Sequence, residues 1–333
     1  MQRQQQLTQW LHSQFPHEPF TIAPASADAS FRRYFRATFS DRSLIVMDAP
    51  PQHEDCRPFL HVAKLFGDAG THVPHVYAQD VEQGFLLLSD LGNTTYLQAL
   101  NDGNADTVRN LYDAATDALI KIQLATRENE LPPYNEAMLL REMRLFPEWY
   151  IAKHLNVTLN GAQNAKLETV FARILANNLA QPCVYVHRDY HSRNLMLTEP
   201  NPGIIDFQDA VYGPITYDLA SLFKDAYIRW EEAQVIDWLI RYWEKARAAG
   251  LPVADDFSVF YRDYEWMGVQ RHLKVLGIFA RLYHRDGKDG YLQDMPRVMT
   301  YLRAACARYI DLKPLLNLLD TLEPRTTEEG YTF

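Results

Sequence analysis

Residues 184–209, VYVHRDYHSRNLMLTEPNPGIIDFQD, constrain this chain more than any other stretch of its 333 residues. A β-branched run ends in His187, Arg188 and Asp189; Asn194 follows five residues later, and a second apolar run ends in Asp206, twelve residues beyond Asn194. Between the runs lies a turn at 199–203 that contains prolines and a glycine. Such punctuation between short apolar runs predicts strand, loop, short strand, turn, short strand. A hairpin of that size brings its strand ends together, so Asp189, Asn194 and Asp206 are expected to converge on one small volume. Two carboxylates and an amide placed there offer a proton acceptor and hard oxygen ligands for a small cation.

The flanking regions differ in hydrophobic period. Residues 4–15 put Leu7, Trp10, Leu11 and Phe15 at helical spacing. Residues 31–39 and 44–47 read as two strands joined by a polar turn, preceded at 25–30 by small residues without a glycine. A helix is predicted over 54–69, with Phe59, Leu60, Ala63 and Phe66 on one face, and further strands around 73–76 and 85–88. Residues 89–92 break the pattern and read as a connector. Beyond them helices dominate, first where Val108, Leu111, Tyr112, Ala115, Leu119 and Ile122 recur at i, i+3, i+4, then over 135–155, 162–179, 219–230, 233–248, 257–282 and 296–310. The end of the chain, 315–333, is expected to fray. The expected fold class is α+β, with a small antiparallel-sheet lobe at residues 1–92 and a larger, mostly helical lobe at 93–333.

A formal charge of −9 argues against a nucleic-acid partner, which needs a basic field, but leaves room for a nucleotide beside a metal and a few local arginines. Cys56, Cys183 and Cys306 have neither a disulfide nor a zinc spacing, which fits a reducing cytoplasm. The first fifteen residues are polar where a signal peptide needs its apolar core, and no run of 18 apolar residues occurs. Neither an export signal nor a membrane partner is therefore expected.

The chemistry these residue types suit is phosphoryl transfer, which asks a protein for positioning and charge neutralisation more than for covalent work. Asp189 is the expected base, orienting an acceptor hydroxyl and taking its proton. Asn194 and Asp206 are the expected ligands of Mg²⁺. His187 and Arg188 are expected to support the loop around Asp189. Asp218, after Gly213-Pro214, either caps the helix it enters and braces that loop, or is a plain N-terminal capping carboxylate.

The set His187-x-Asp189-x₄-Asn194, then Ile205-Asp206-Phe207, Gly213-Pro214 and Tyr217-Asp218, resembles the aminoglycoside phosphotransferase/choline kinase family of small-molecule kinases. Segments 29–36, 45–51, 186–196, 206–221 and 270–288 are most similar to one branch, the bacterial anomeric sugar kinases of cell-wall (peptidoglycan) recycling. The resemblance implies a two-lobed protein-kinase-like fold, ATP and Mg²⁺ as cofactors, and N-acetylmuramate or N-acetylglucosamine as acceptor. Two departures stand out: residues 44–48, LIVMD, lack the lysine that grips phosphates in such kinases, and the preceding loop lacks glycines. By resemblance Ser30, Phe31, Arg32 and Arg33 occupy that loop. Either Arg32 or Arg33 supplies the missing charge, or both are solvated arginines on an exposed hairpin. Asp90 and Leu91 fall at the connector, where family members bind adenine through backbone groups. For the acceptor, Glu148 with Trp149, and Glu265, Arg271 and His272 on one long helix, are the candidates; their alternative is surface charge or satisfied core polarity. Rival readings are a kinase of an aminoglycoside or choline-like alcohol, and a nucleotide-binding pseudokinase acting through protein partners. The missing lysine favours the pseudokinase; the intact Asp189, Asn194 and Asp206 oppose it.

Overall fold

The computed structural model describes residues 2–27 and 31–323. The chain opens with helix α1 (Gln2–Gln14), strands β1 (Thr21–Ala27), β2 (Arg33–Thr38) and β3 (Ser43–Asp48), helix α2 (Arg57–Asp68), and strands β4 (Val76–Asp80) and β5 (Phe85–Ser89). Helices α3 (Tyr96–Asp102), α4 (Ala105–Leu124) and α5 (Glu136–Leu145) follow, α5 running into a π-helical segment, Phe146–His154. Next come α6 (Gly161–Leu179), the short strands β6 (Cys183–Val186), β7 (Leu195–Met196), β8 (Gly203–Ile204) and β9 (Val211–Pro214), and α7 (Tyr217–Phe223). Helices α8 (Glu232–Ala248), α9 (Phe257–Asp286), α10 (Met295–Arg308) and α11 (Lys313–Leu322) complete the described chain.

Contacts between Cα atoms divide these elements into two compact units, residues 1–125 with 193–210, and 126–192 with 211–333. Helices α3 and α4 and the β7–β8 hairpin thus join the sheet in the first unit. Contact units and the expected functional division at residue 92 do not coincide.

In the first unit a five-stranded antiparallel sheet runs in the order β1-β2-β3-β5-β4. Leu7, Trp10 and Leu11 of α1 pack with Phe35, Ala37, Leu44, Val46, Phe85 and Leu87, which alternate along β2, β3 and β5 as a sheet face requires. Strand β1 was not expected, because TIAPASA carries a proline and small residues in place of a β-branched alternation. It fits as an edge strand, where Pro24 needs no ladder partner and its register shifts between Pro24 and Ser26. The short hairpin pairs Leu195 with Ile204 and Met196 with Gly203, as the turn at 199–203 predicts.

The second unit is built around α9, thirty residues long, with α5, the π-helical segment, α6, α7 and α10 packed on it. A Cβ on Gly277 would lie 2.4 Å from the backbone carbonyl carbon of Leu145, so only glycine lets α9 approach α5 this closely. Every residue of α9 from Tyr264 to Gly277 is buried, including Glu265, Gln270, Arg271, His272 and Lys274. A helix apolar all round would explain such burial; one carrying this many charges needs partners for each. Three expectations change here. The helix predicted over 219–230 ends at Phe223, and α3 was unforeseen; it begins with a capping box in which Thr95 and Gln98 satisfy each other's backbone N–H groups. The tail expected to fray from 315 instead forms α11 through Leu322, burying Leu315, Leu316, Leu318 and Leu319; residues 324–333 lie outside the described residues.

Candidate active site

The loop after β6 presents Asp189. Strand β6 is held by β9, pairing Val186 with Val211, and the next residues turn sharply. Arg188 has φ 78°, a left-handed backbone that side-chain-bearing residues adopt only when their surroundings impose it. Asp218, in the first turn of α7, imposes it: one carboxylate oxygen accepts the His187 N–H at 2.7 Å and the other the Arg188 N–H at 3.0 Å. Of the two alternatives for Asp218, the geometry is that of the loop brace. His187 Nδ1 accepts the Asp189 N–H at 3.2 Å, and its ring packs edge-on against Tyr190. His187, Arg188 and Asp218 together fix the turn.

The Asp189 side chain is 42% accessible, with Arg271 Nη2 of α9 at 3.9 Å from Oδ1. Burial opposes its ionisation, but Lys274, His191, Arg271 and Arg188 outweigh it and hold the carboxyl well below the usual range. Asp189 is therefore a carboxylate at neutral pH.

Asp218 behaves oppositely. Burial, reinforced by the Asp189 charge, pushes it up to about 7 despite its two N–H donors. Its proton is bound more tightly folded than unfolded, so its stabilising contribution is complete below the ordinary value of 3.8 and is lost as pH rises toward about 7. Asp218→Asn has no such proton. The stability of the parent relative to this variant is expected to fall between pH 4 and pH 7, by at most about 1.4 kcal/mol per pH unit. Urea midpoints measured across that range check it; a difference that stays flat contradicts it.

In the first unit Asn194 and Asp206 flank the β7–β8 hairpin and meet, as their spacing predicts. Ile205 N–H donates to the Asn194 carbonyl at 3.1 Å, and Asn194 Nδ2 donates to Asp206 Oδ2 at 3.3 Å. Gln208 Nε2 donates to Asp206 Oδ1 at 2.8 Å. Asp206 has φ 63°, while the next residue, Phe207, is buried against Phe59 and Phe66 of α2. The aromatic anchor thus fixes a carboxylate whose own backbone is strained. Among the described residues no three His, Cys, Asp or Glu side chains cluster as a metal site. Asn194 and Asp206 offer two adjacent hard oxygens, a set that suits Mg²⁺, which keeps waters and draws other ligands from substrate phosphates.

The two arginines of the first hairpin separate. Arg33 lies opposite Asp48 in the β2–β3 register and pairs with it at 2.5 Å. Asp48 is fully buried and is also held by Arg3 of α1 through two bonds, 2.9 and 2.7 Å long. Arg32 instead lies 4.0 Å from Asp206 Oδ1 and is 12% accessible. Phe31 stacks on His53, its N–H reaching Glu54 at 3.2 Å; Ser30 lies outside the described residues. Asp90 is held by Arg36 at 2.5 and 3.0 Å, by the Ser43 hydroxyl at 2.7 Å and by the Gly92 N–H at 2.9 Å. Its side chain therefore secures the connector, and Leu91 is buried beside it.

The acceptor candidates do not stay together. Arg271 reaches Asp189. Glu265 is buried in an ionic core with Lys224 at 3.3 Å and Arg308 at 2.7 Å. His272 is buried and stacked on Tyr301; burial, Lys224 and Arg271 keep its pKa well below the ordinary value. Glu148 is exposed in a shallow hollow with Ala137, Leu140 and Arg141, and Trp149 is half-buried in the π-helical segment. Glu142 and Lys274, under the Asp189 loop, were not singled out from the sequence. Each is a charge set among apolar helix positions, and that is the signal that marks them.

A profile described as "Phosphotransferase enzyme family" matches residues 21–254, more than two-thirds of the chain. The chain belongs to this family. The phosphotransferase is 53% identical over 330 residues to an N-acetylmuramate/N-acetylglucosamine kinase of Pseudomonas aeruginosa, covering 96% of this chain and 97% of that relative. A protein of the same name from Neisseria meningitidis is 52% identical over 336 residues, with both chains fully covered. The phosphotransferase also shares its fold with an ADP-bound aminoglycoside phosphotransferase, at TM-score 0.60 and 15% identity over 89% of this chain and 96% of that one. A choline kinase from Streptococcus pneumoniae gives TM-score 0.60 and 14% identity over 93% and 100%. The two-lobed α+β kinase-like fold expected from the motifs is the one these neighbours have. Among the described residues no helix is long and apolar enough to cross a membrane.

Proposed function

We propose that this phosphotransferase is an ATP- and Mg²⁺-dependent sugar kinase that phosphorylates the anomeric hydroxyl of N-acetylmuramate and N-acetylglucosamine. The observation that carries this reading is 53% identity along nearly the whole of both chains to a kinase of that name. Asp189 orients the acceptor hydroxyl and takes its proton. An anomeric hydroxyl is more acidic than an ordinary alcohol, so a strongly ionised aspartate is base enough for it. Asn194 and Asp206 hold Mg²⁺, which neutralises charge on the nucleotide phosphates. Arg32, beside Asp206, replaces the missing lysine, and residues 1–92, with the connector at Asp90 and Leu91, receive the nucleotide. Residues 93–333 carry catalysis and the acceptor, with Arg271 at 3.9 Å from the base. The setting is the bacterial cytoplasm, where the product feeds cell-wall recycling. A pseudokinase is not favoured, since it would have no use for an ionised Asp189 and a paired Asn194 and Asp206.

Incubating the protein with ATP, Mg²⁺ and a panel of alcohols tests the reading. ADP release is expected with both amino sugars and not with an aminoglycoside or choline, and NMR of the product is expected to place phosphate on C1. Phosphate on any other hydroxyl, or no sugar-dependent ADP release, overturns it.

A further inference from the structure

Glu142 of α5 lies outside every motif that marks the reaction, yet four polar groups converge on its buried carboxylate. Oε1 accepts Arg188 Nη2 at 2.6 Å and lies 3.3 Å from Lys274 Nζ. Oε2 accepts Gln270 Nε2 at 3.1 Å and the Tyr134 hydroxyl. The charged and titratable groups around this cluster come from every packed element. They are Arg188, Asp189 and His191 from the loop, Tyr217 and Asp218 from α7, Arg271 and Lys274 from α9, and Tyr134 before α5. Lys274 donates also to the Tyr217 hydroxyl at 3.0 Å, and the Arg188 guanidinium lies over the Tyr134 ring.

Burying a carboxylate with two cations is a weak route to stability, because desolvation consumes much of the Coulombic gain. Removing the carboxylate alone is worse, since it strands the cations. Here the stranded cations would be Arg188, next to Asp189 in the chain, and Lys274, about one helical turn along α9 from Arg271, whose guanidinium lies 3.9 Å from Asp189 Oδ1; both act on the Asp189 carboxylate. Arg188 also has the strained backbone adjoining the base, so where its guanidinium is tied governs where the loop rests.

We propose that Glu142 is a positioning residue for phosphoryl transfer, which ties Arg188 and Lys274 to itself and so keeps these two cations from closing on the Asp189 carboxylate. This rests on Asp189 being the base, as proposed above. Without Glu142 the two cations turn to Asp189, a carboxylate that both act on, and compete with the acceptor for it.

Glu142→Gln keeps the shape and removes the charge. It is expected to lower kcat by about 30-fold while the KM for ATP stays within about twofold of the parent. Adding Lys274→Met in the same chain removes one competing cation and is expected to restore kcat by about fivefold or more over Glu142→Gln alone. A purely structural glutamate would lower the melting temperature of Glu142→Gln and leave kcat per folded molecule within about twofold, which overturns the proposal, as does a double variant no faster than the single. If Glu142→Gln does not fold, Glu142→Asp decides, because it keeps the charge but withdraws it by one methylene. A kcat lowered at least about threefold with the KM for ATP unchanged supports the proposal, and an unchanged kcat overturns it. An active Glu142→Gln beside an inactive Asp189→Asn sinks this inference alone; an active Asp189→Asn sinks the assignment of the base.

Discussion

Asp189→Asn is expected to lower kcat on the order of 10³-fold, with the KM for ATP close to that of the parent. The amide matches the carboxylate in size and still accepts a hydrogen bond from an acceptor hydroxyl, but it cannot take the proton. Binding therefore survives and the chemical step does not. The surroundings sharpen the expectation, because Lys274, His191, Arg271 and Arg188 all favour the charged form that the substitution deletes. Arg271 in particular loses the carboxylate 3.9 Å away. The variant is expected to melt somewhat lower than the parent as well, since those cations are left less balanced. Sugar-dependent ADP release, normalised to the fraction of protein that binds ATP, measures the effect. Retention of more than about a tenth of the parent kcat would mean that another group takes the proton.

The meeting of Asn194 and Asp206 was legible because two sequence signals coincide there. The apolar runs before His187 and before Asp206 mark strand ends, and the turn between them sets a hairpin that closes Asn194 onto Asp206. Asp218 was legible only as a choice between a plain cap and a brace, since nothing in its neighbourhood says which N–H groups it meets; the N–H groups of His187 and Arg188 decide it, and the turn that aims them is not written in a sequence. The long-range pairs were out of reach for the same reason. Arg33 looks as available as Arg32 along the chain, and only the β2–β3 register, which sets it opposite Asp48, commits it elsewhere. Glu265 and His272 read as acceptor groups because their helix carries unusual polarity. That polarity is real; Lys224 and Arg308 pair with Glu265, and the Tyr301 ring stacks on His272. Strand β1 escaped because an edge strand needs only one good partner, so its sequence can be poor in β-formers and still pair.

On the nucleotide side, Asp206→Asn is expected to lower kcat by on the order of 10²-fold at low Mg²⁺, with part of the loss recovered as Mg²⁺ is raised. Asparagine is among the few residues at ease at the φ of 63° that Asp206 adopts, so this variant deletes the charge without adding backbone strain. It also keeps one oxygen for the cation and one polar contact for Gln208. A variant as active as the parent at every Mg²⁺ concentration would remove Asp206 from the metal site. The two arginines then separate nucleotide binding from scaffold. Arg32 lies beside Asp206, and Arg32→Met is expected to raise the KM for ATP about tenfold. Arg33→Met withdraws one of the two arginines holding the fully buried Asp48, so its effect is expected in the melting temperature, with the KM for ATP nearly unchanged. The contrast is physical. The carboxylate beside Arg32 is itself accessible, whereas Arg33 neutralises a buried carboxylate and leaves that charge stranded if it moves. Equal effects of the two substitutions on the KM for ATP would show that neither arginine stands in for the lysine that the strand lacks.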